Sequence, residues 1–374
     1  MQITHKFRLY PNKEQEGKLL ETLELCRQTY NYFLSQWDEK NKIPSRFELQ
    51  AQLPSLKRNK PELNKVHSKV LQMVLYQLYS NLKALSQLKK NGKKVGKLRF
   101  KGNGWWKTFV YNQSGFKIVK TRKRLDILHL SKIGDILIRV HREVKGKIKQ
   151  VIIKRHSSSK WFACICVEQE IQIEKRNVRS VVGIDVGVKH FLTDSDGRQI
   201  ENPRFYEKTL KRIEVVQHWL GRRQKGSRNR EKQRVKLAKL IEKVVNQRDD
   251  FLHKLSRFYV ENYDLIATEN LNIKGMVRNH NLAGRILDAS WGKFLQMLSY
   301  KAENAGGMVV KVNPRGTSKE YKFGNLDRDY NASLNILMRG WDSPKMPVEM
   351  EPLRELTQVP VSSVVKAGSP HPSG

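Results

Sequence analysis

Three acidic residues in this chain stand where an apolar run stops or a helical pattern starts. Asp185 closes the apolar run of residues 181–184 in "VVGIDVGVKHFLTDSDG". Glu269 follows the apolar run of residues 265–267 in "DLIATENL", with Thr268 between. Asp329 lies in "LDRDYNASLNIL", two residues after Asp327 and separated from it by Arg328. Three carboxylates brought together repel one another unless cations neutralise them, and hard oxygen donors suit Mg²⁺ or Mn²⁺. Two such ions ~3.5–4 Å apart activate a water and stabilise the leaving oxygen of a phosphodiester. The chemistry open to such a trio is metal-dependent phosphodiester hydrolysis, with Asp185, Glu269 and Asp329 as metal ligands and catalytic acids. Each acid also has a plainer reading. Asp185 can be a turn residue before Gly187, Glu269 can cap the turn "ENLN", and Asp329 can be a helix N-cap.

The elements around the acids decide between these readings. Residues 181–203 read as strand, tight turn, strand, turn, strand. A long basic helical segment follows over about residues 206–263. "DLIATENL" reads as a buried strand, "SWGKFLQMLSYKAENAGG" as an amphipathic helix with a glycine stop, "MVVKVNP" as another buried strand and "NASLNILMRG" as a last helix. The order β-β-β-α-β-α-β-α is that of an RNase H-like fold. In such a sheet the first and fourth strands are neighbours and the last helix packs across their ends, so the three acids can converge.

The first half of the chain has a different character. "THKFRLYPN" alternates as a strand does, helical spacing runs over residues 14–40 and again over about 66–88, and residues 125–170 hold short alternating strands. These strands predict a small antiparallel β-domain or barrel. From residue 63 to residue 125 there is no acidic residue. Lys93, Lys94, Lys97 and Arg99 are interleaved there with Phe100, Trp105, Trp106, Phe109 and Tyr111, a mixture suited to phosphate pairing and base stacking. The whole chain of 374 residues carries 72 Lys+Arg against 36 Asp+Glu, a net charge of +36 that favours a nucleic-acid partner. No apolar run approaches the ~20 residues of a membrane-spanning helix. The start lacks the apolar core of a signal peptide, and only Cys26, Cys164 and Cys166 occur, so a reducing cytoplasm is expected. Cys164 and Cys166 point to one face of a strand and make no zinc centre by themselves.

With "FRLYPNKEQ" and "RQTYNYFL" near the start, "VGIDVGVKHFLTDSDG" at the first acid, "RDDFLHKLS" before "YDLIATENLNIKGM" at the second, and "LDASWGKFLQMLSYKAENAGGMVVKVNPRGTS" before "LDRDYNASLNIL" at the third, the sequence resembles the TnpB family of insertion-sequence proteins, relatives of type V CRISPR effectors. The resemblance runs over most of the chain. It implies an α/β protein in which a RuvC-like (RNase H-like) nuclease domain is joined to an oligonucleotide-binding β-barrel wedge domain with an inserted helical recognition lobe. The expected boundaries are residues 1–10 for the first wedge strand, 11–97 for the helical lobe, 98–172 for the wedge barrel, 173–340 for the nuclease domain and 341–374 for a disordered tail. The implied activity is RNA-guided DNA cleavage beside a short flanking motif. The implied partners are a guide RNA from the transposon end and target double-stranded DNA, and the cofactors two Mg²⁺ (or Mn²⁺) ions. Asp185, Glu269 and Asp329 match the family's catalytic acids. Gln72, in "KVLQMVL", stands where the resemblance places a DNA-facing glutamine, and an amide can pair with adenine in the major groove.

One departure from the family is plain. The four-cysteine zinc ribbon expected between residues 318 and 327 is replaced by "KEYKFGNL", with no cysteine, so no zinc is expected. That leaves room for a guided DNA-binding regulator with weak or no cleavage, while a DNA-joining transposase shares the fold but not the resemblance. Within "LDRDYNASLNIL" the helix is expected to begin at Tyr330 or Asn331. Asp329 would then sit at its mouth, held against backbone N–H groups, as the metal ligand, with Asp327 in a loop. Arg328 either touches a phosphate or balances the local negative charge.

Overall fold

The structure, a computed structural model, describes residues 1–37, 44–122, 124–170, 172–319 and 326–342. The chain divides into two compact units, Met1–Ile171 and Gln172–Gly374. Among the described residues no helix is long and apolar enough to cross a membrane.

In the first unit β1 (Gln2–Tyr10) leads through Pro11 into α1 (Lys13–Ser35). Asn12 starts that helix with a capping box: its side chain accepts from Gln15 N at 2.8 Å while its own N–H donates to Gln15 Oε1 at 3.0 Å. The helix ends at Ser35, shorter than the expected 14–40. Two short helices that periodicity did not reveal follow, α2 (Arg46–Ala51) and α3 (Leu53–Asn59), and then α4 (Ser68–Lys90). The strands β2 (Thr108–Asn112), β3 (Phe116–Val119), β4 (Asp126–Leu130), β5 (Gly134–Arg139), β6 (Lys147–Arg155) and β7 (Trp161–Glu168) join β1 in one antiparallel sheet of order β2-β6-β7-β1-β5-β4-β3.

The edge strands β2 and β3 are consecutive in the chain, and only residues 113–115 connect them. In a flat sheet seven strands would put those edges ~29 Å apart, at ~4.8 Å per strand. A link of four residue steps spans at most ~14 Å, so the sheet is curled upon itself. No β2–β3 ladder closes it, which departs from a sealed barrel. Helices and sheet share one core: Leu19, Tyr30 and Phe33 of α1 and Val70, Leu71 and Leu75 of α4 join Phe109 and Tyr111 of β2 and Ile165 of β7. Each such side chain contributes ~1.5–3 kcal/mol by leaving water.

The second unit has five strands, β8 (Val181–Asp185), β9 (His190–Asp194), β10 (Gln199–Glu201), β11 (Leu265–Glu269) and β12 (Met308–Val312), in the order β10-β9-β8-β11-β12. β8, β11 and β12 run parallel, while β9 and β10 are antiparallel to their neighbours. The expected single basic helix is two, α5 (Phe205–Arg222) and α6 (Arg228–Asn262), packed as a hairpin. The break is local chemistry: Gly226 takes φ +85° and Ser227 caps α6 by accepting from Arg230 N. After β11 come α7 (Ile273–Met276), α8 (His280–Ala289) and α9 (Trp291–Asn304), and after β12 comes α10 (Arg328–Trp341).

The parallel strands are apolar on both faces, as a sheet covered on both sides requires. Val182, Ile184 and Ile266 pack with Leu252 and Tyr259 of α6 and Phe294 and Leu298 of α9. Leu265, Ala267, Val310 and Val312 pack instead with Ile336 of α10. α10 runs through Trp341, so the expected tail begins later than residue 341, and residues 343–374 lie outside the described residues.

Candidate active site

Asp185 and Glu269 end adjacent parallel strands. The register pairs Leu265 with Val181 and continues to Thr268 with Ile184, so the two acids stand side by side one step beyond the last pair. The register is pinned at the other end. Asp264 Oδ2 accepts from Arg179 N at 3.0 Å, Ser180 N at 3.1 Å and Ser180 Oγ at 3.0 Å. At the strand ends, burial pushes the Asp185 carboxyl up to about 7, and the negative charges of Glu269 and then Asp329 push the same way. Arg328 and the Val186 N–H oppose them. Burial also raises Glu269, against a hydrogen bond from Thr317 and the charge of Arg339. At Asp185 the repulsion from Glu269 and Asp329 adds to the larger effect of burial. The three acids therefore share one electrostatic neighbourhood.

Among the described residues, no three His, Cys, Asp or Glu side chains stand close enough together to hold a single metal ion as they are. The donor set still fits hard divalent cations in kind. It consists of carboxylates only, and burial together with repulsion from Glu269 and Asp329 raises Asp185 toward neutrality, a penalty that bound cations would relieve.

α10 begins at Arg328, two or three residues before the expected start at Tyr330 or Asn331. Its N-cap is Asp327, whose Oδ1 accepts from Asp329 N at 3.1 Å and Tyr330 N at 3.2 Å. The capping role expected of Asp329 thus belongs to Asp327. Asp329 sits in the first turn, and its charge is felt at Asp185 while that of Asp327 is not among the causes.

Two glycines set α10 flush on the sheet. A Cβ on Gly183 of β8 would lie 2.1 Å from Ser333 O and 2.7 Å from Leu337 N. A Cβ on Gly340 of α10 would lie 2.5 Å from Ala267 Cβ on β11. From that seat Asn335 Nδ2 donates to Thr317 O at 2.8 Å, and the Thr317 hydroxyl lies 2.5 Å from Glu269 Oε1. Sequence reasoning missed Gly183, Thr317, Asn335 and Gly340. Only Gly183 carried a signal, since a glycine inside a strand marks a close backbone approach.

The residues proposed to meet nucleic acid separate by exposure. Lys93, Lys94, Lys97 and Arg99 are exposed between α4 and β2, and Trp105 is 76% exposed. Phe109 and Tyr111 contradict the expectation. They are 2% and 1% exposed, point from β2 into the core, and the Tyr111 hydroxyl donates to Ser131 O at 2.7 Å. Neither ring can stack on a base without opening that core. Gln72 is partly buried on α4, and Arg328 is exposed at the start of α10.

Three family models match separate stretches of the chain. A family model described as Probable transposase (OrfB_IS605) matches residues 164–280. One described as Helix-turn-helix domain matches residues 1–42, where the described residues form β1 and α1, and one described as Cas12f1-like, TNB domain matches residues 291–336. A candidate RNA-guided DNA endonuclease of Streptomyces pristinaespiralis is 27% identical over 389 residues, covering 96% of this chain and 94% of that one. The RNA-guided DNA endonuclease InsQ of Escherichia coli K12, also named as a candidate, is 29% identical over 84% of this chain and 81% of its own. The CRISPR-associated endodeoxyribonuclease Cas12f1 of Sulfoacidibacillus thermotolerans is 25% identical over 51% of this chain and 53% of its own. A solved Cas12f1–sgRNA–target DNA complex aligns at 13% identity with a TM-score of 0.49, over 90% of this chain and 98% of that one.

Proposed function

The chain belongs to the TnpB family of insertion-sequence proteins, and from that premise we propose that it is an RNA-guided DNA endonuclease whose nuclease centre is Asp185, Glu269 and Asp329. The observation that carries the reading is the pairing of Asp185 and Glu269 at the ends of neighbouring parallel strands, with Asp329 close enough to raise Asp185. The strand order β10-β9-β8-β11-β12, with only β9 running against the other four, supports a RuvC-like, RNase H-like nuclease unit. The curled sheet of the first unit supports the wedge domain, and α1 to α4 the recognition lobe.

The three carboxylates would hold two Mg²⁺ or Mn²⁺ ions, which when bound supply charge neutralisation and an activated water for in-line attack on a DNA phosphodiester. The protein's own part is placement. β8 and β11 set the spacing of the backbones that carry two donors, α10 brings the third, and burial keeps bulk water from screening them. Exposed cations of the first unit bind the guide RNA through its phosphates, and base pairing by that guide selects the DNA.

The absent cysteines between residues 318 and 327 favour one second reading, a guided DNA-binding regulator with weak or no cleavage. A single assay separates the two. The protein is purified with its co-expressed guide RNA and given matched duplex DNA with Mg²⁺. Guided cutting that Asp185→Ala abolishes, with target binding retained, supports the nuclease. Guided binding without cutting in the wild type supports the regulator.

A further inference from the structure

We propose that Thr317 is the positioning residue of Glu269, and that α10 sets it in place, so that one helix fixes two of the three acids. The inference rests on the nuclease reading above. Glu269 ends β11, and a glutamate carboxylate lies three rotatable bonds from its backbone, so the strand alone does not fix it. The Thr317 hydroxyl lies 2.5 Å from Glu269 Oε1 and 3.0 Å from Pro314 O. It has one proton to donate, and the ionised carboxylate is the stronger acceptor. At 2% exposure, Thr317 makes this bond away from competing water.

Thr317 is in turn gripped from α10. Asn335, also 2% exposed, donates from Nδ2 to Thr317 O at 2.8 Å. Arg339, one turn further along, donates from one guanidinium nitrogen to Asn313 O at 2.9 Å and Arg315 O at 2.7 Å. Residues at i and i+4 share a helix face, so both hold the carbonyls of the segment that carries Thr317. The close approach of Gly340 to Ala267 keeps the same helix against β11. Asp329 stands in its first turn. The separation of Asp329 and Glu269 is therefore set through α10 and the segment 313–317.

The test compares Thr317→Val, which keeps the shape and removes the donor, with Thr317→Ser, which keeps the donor, in the protein–guide RNA complex. Direct Mn²⁺ binding is measured by electron paramagnetic resonance, and the Mg²⁺ concentration for half-maximal cleavage is read alongside. Thr317→Val should weaken Mn²⁺ binding by about 10-fold or more, the scale of losing an outer-shell partner. It should raise the Mg²⁺ requirement by a similar factor, with guide and target binding unchanged. Thr317→Ser should restore both, and in a Glu269→Ala background Thr317→Val should add nothing. Wild-type Mn²⁺ affinity in Thr317→Val, or additive losses in the double variant, overturns the assignment. Loss of guide binding in Thr317→Val also overturns it, because the hydroxyl would then hold the fold rather than the carboxylate. A wild-type complex that neither binds Mn²⁺ nor cuts removes the nuclease reading itself.

Discussion

Asp327 and Asp329 are the same residue type two positions apart, and their surroundings give them different work. Asp327 satisfies two N–H groups of the first turn of α10, whereas Asp329 repels Asp185. Asp329→Asn should reduce cleavage by several orders of magnitude with guide and target bound, as loss of a metal ligand does. Asp327→Asn keeps an oxygen that can cap, so cleavage should fall little and thermal stability less than the ~1 kcal/mol of a cap lost to alanine. Single-turnover cleavage and melting curves measure the two effects separately. Asp185 carries a second prediction. Its carboxyl is pushed up to about 7 by burial, Glu269 and Asp329, so without divalent ions the folded protein keeps a proton that the unfolded chain has released. The contribution of Asp185 to stability should therefore be full below about pH 4 and be lost as pH rises toward 7. Asp185→Asn should flatten that part of the stability–pH curve, and bound Mg²⁺ should be held more tightly as pH rises through the same window. The rings near β2 divide likewise. Trp105→Ala should weaken guide binding and leave the melting point unchanged, whereas Phe109→Ala should cost ~3–5 kcal/mol of stability. The three candidate acids stood out in the sequence because each follows an apolar run or lies near a helix start. The burial of Phe109 and Tyr111 was not, since alternation along a five-residue strand does not say which face meets the core.

At the scale of elements, the seat of α10 on β8 and β11 is the feature on which the site depends. Gly183→Ala would put a methyl 2.1 Å from a backbone oxygen of that helix, where no side-chain rotation can relieve it. Overpacking of this kind costs ~1–3 kcal/mol or more. The expected result is loss of amide-exchange protection across α10 and loss of cleavage, with protection in β1 and β7 unchanged. Hydrogen exchange resolved by peptide reads both. The order of the strands in this unit, with α9 and α10, could be read from apolar runs and their punctuation, whereas α7 and α8 were not read. The break between α5 and α6 could not, because "QKGS" sits among charges that suit helix and loop equally. Helices α2 and α3, each of seven residues or fewer, fall below the length at which a 3.6-residue period can be recognised. The position of the α10 start was missed for a related reason: two acids at N-terminal spacing both fit a cap, and only coordinates say which one accepts.

For the molecule as a whole, the net charge of +36 predicts binding that is steep in salt. Neutralising Lys93, Lys94, Lys97 and Arg99 together should lower the slope of log affinity against log salt by about 3, at ~0.7 per phosphate contact. A slope unchanged in filter-binding assays would move the RNA path to other basic surfaces. Charge and resemblance announced a nucleic-acid partner before any coordinates, but not that helices and curled sheet of the first unit would share one core, which is a property of contacts distant in sequence. The same distance shapes how the second unit comes into being on the ribosome. Asp329 is made about 140 residues after Asp185, which at ~5–20 residues per second is roughly 7–30 s of translation. Through that interval the apolar face of β11 and the groove at Gly183 await α10, and the acid trio is incomplete. The basic stretch between α4 and β2 emerges before any of the three. On the proposed reading, a nascent chain would carry its RNA-binding stretch before its acid trio, which is completed only when the closing helix docks.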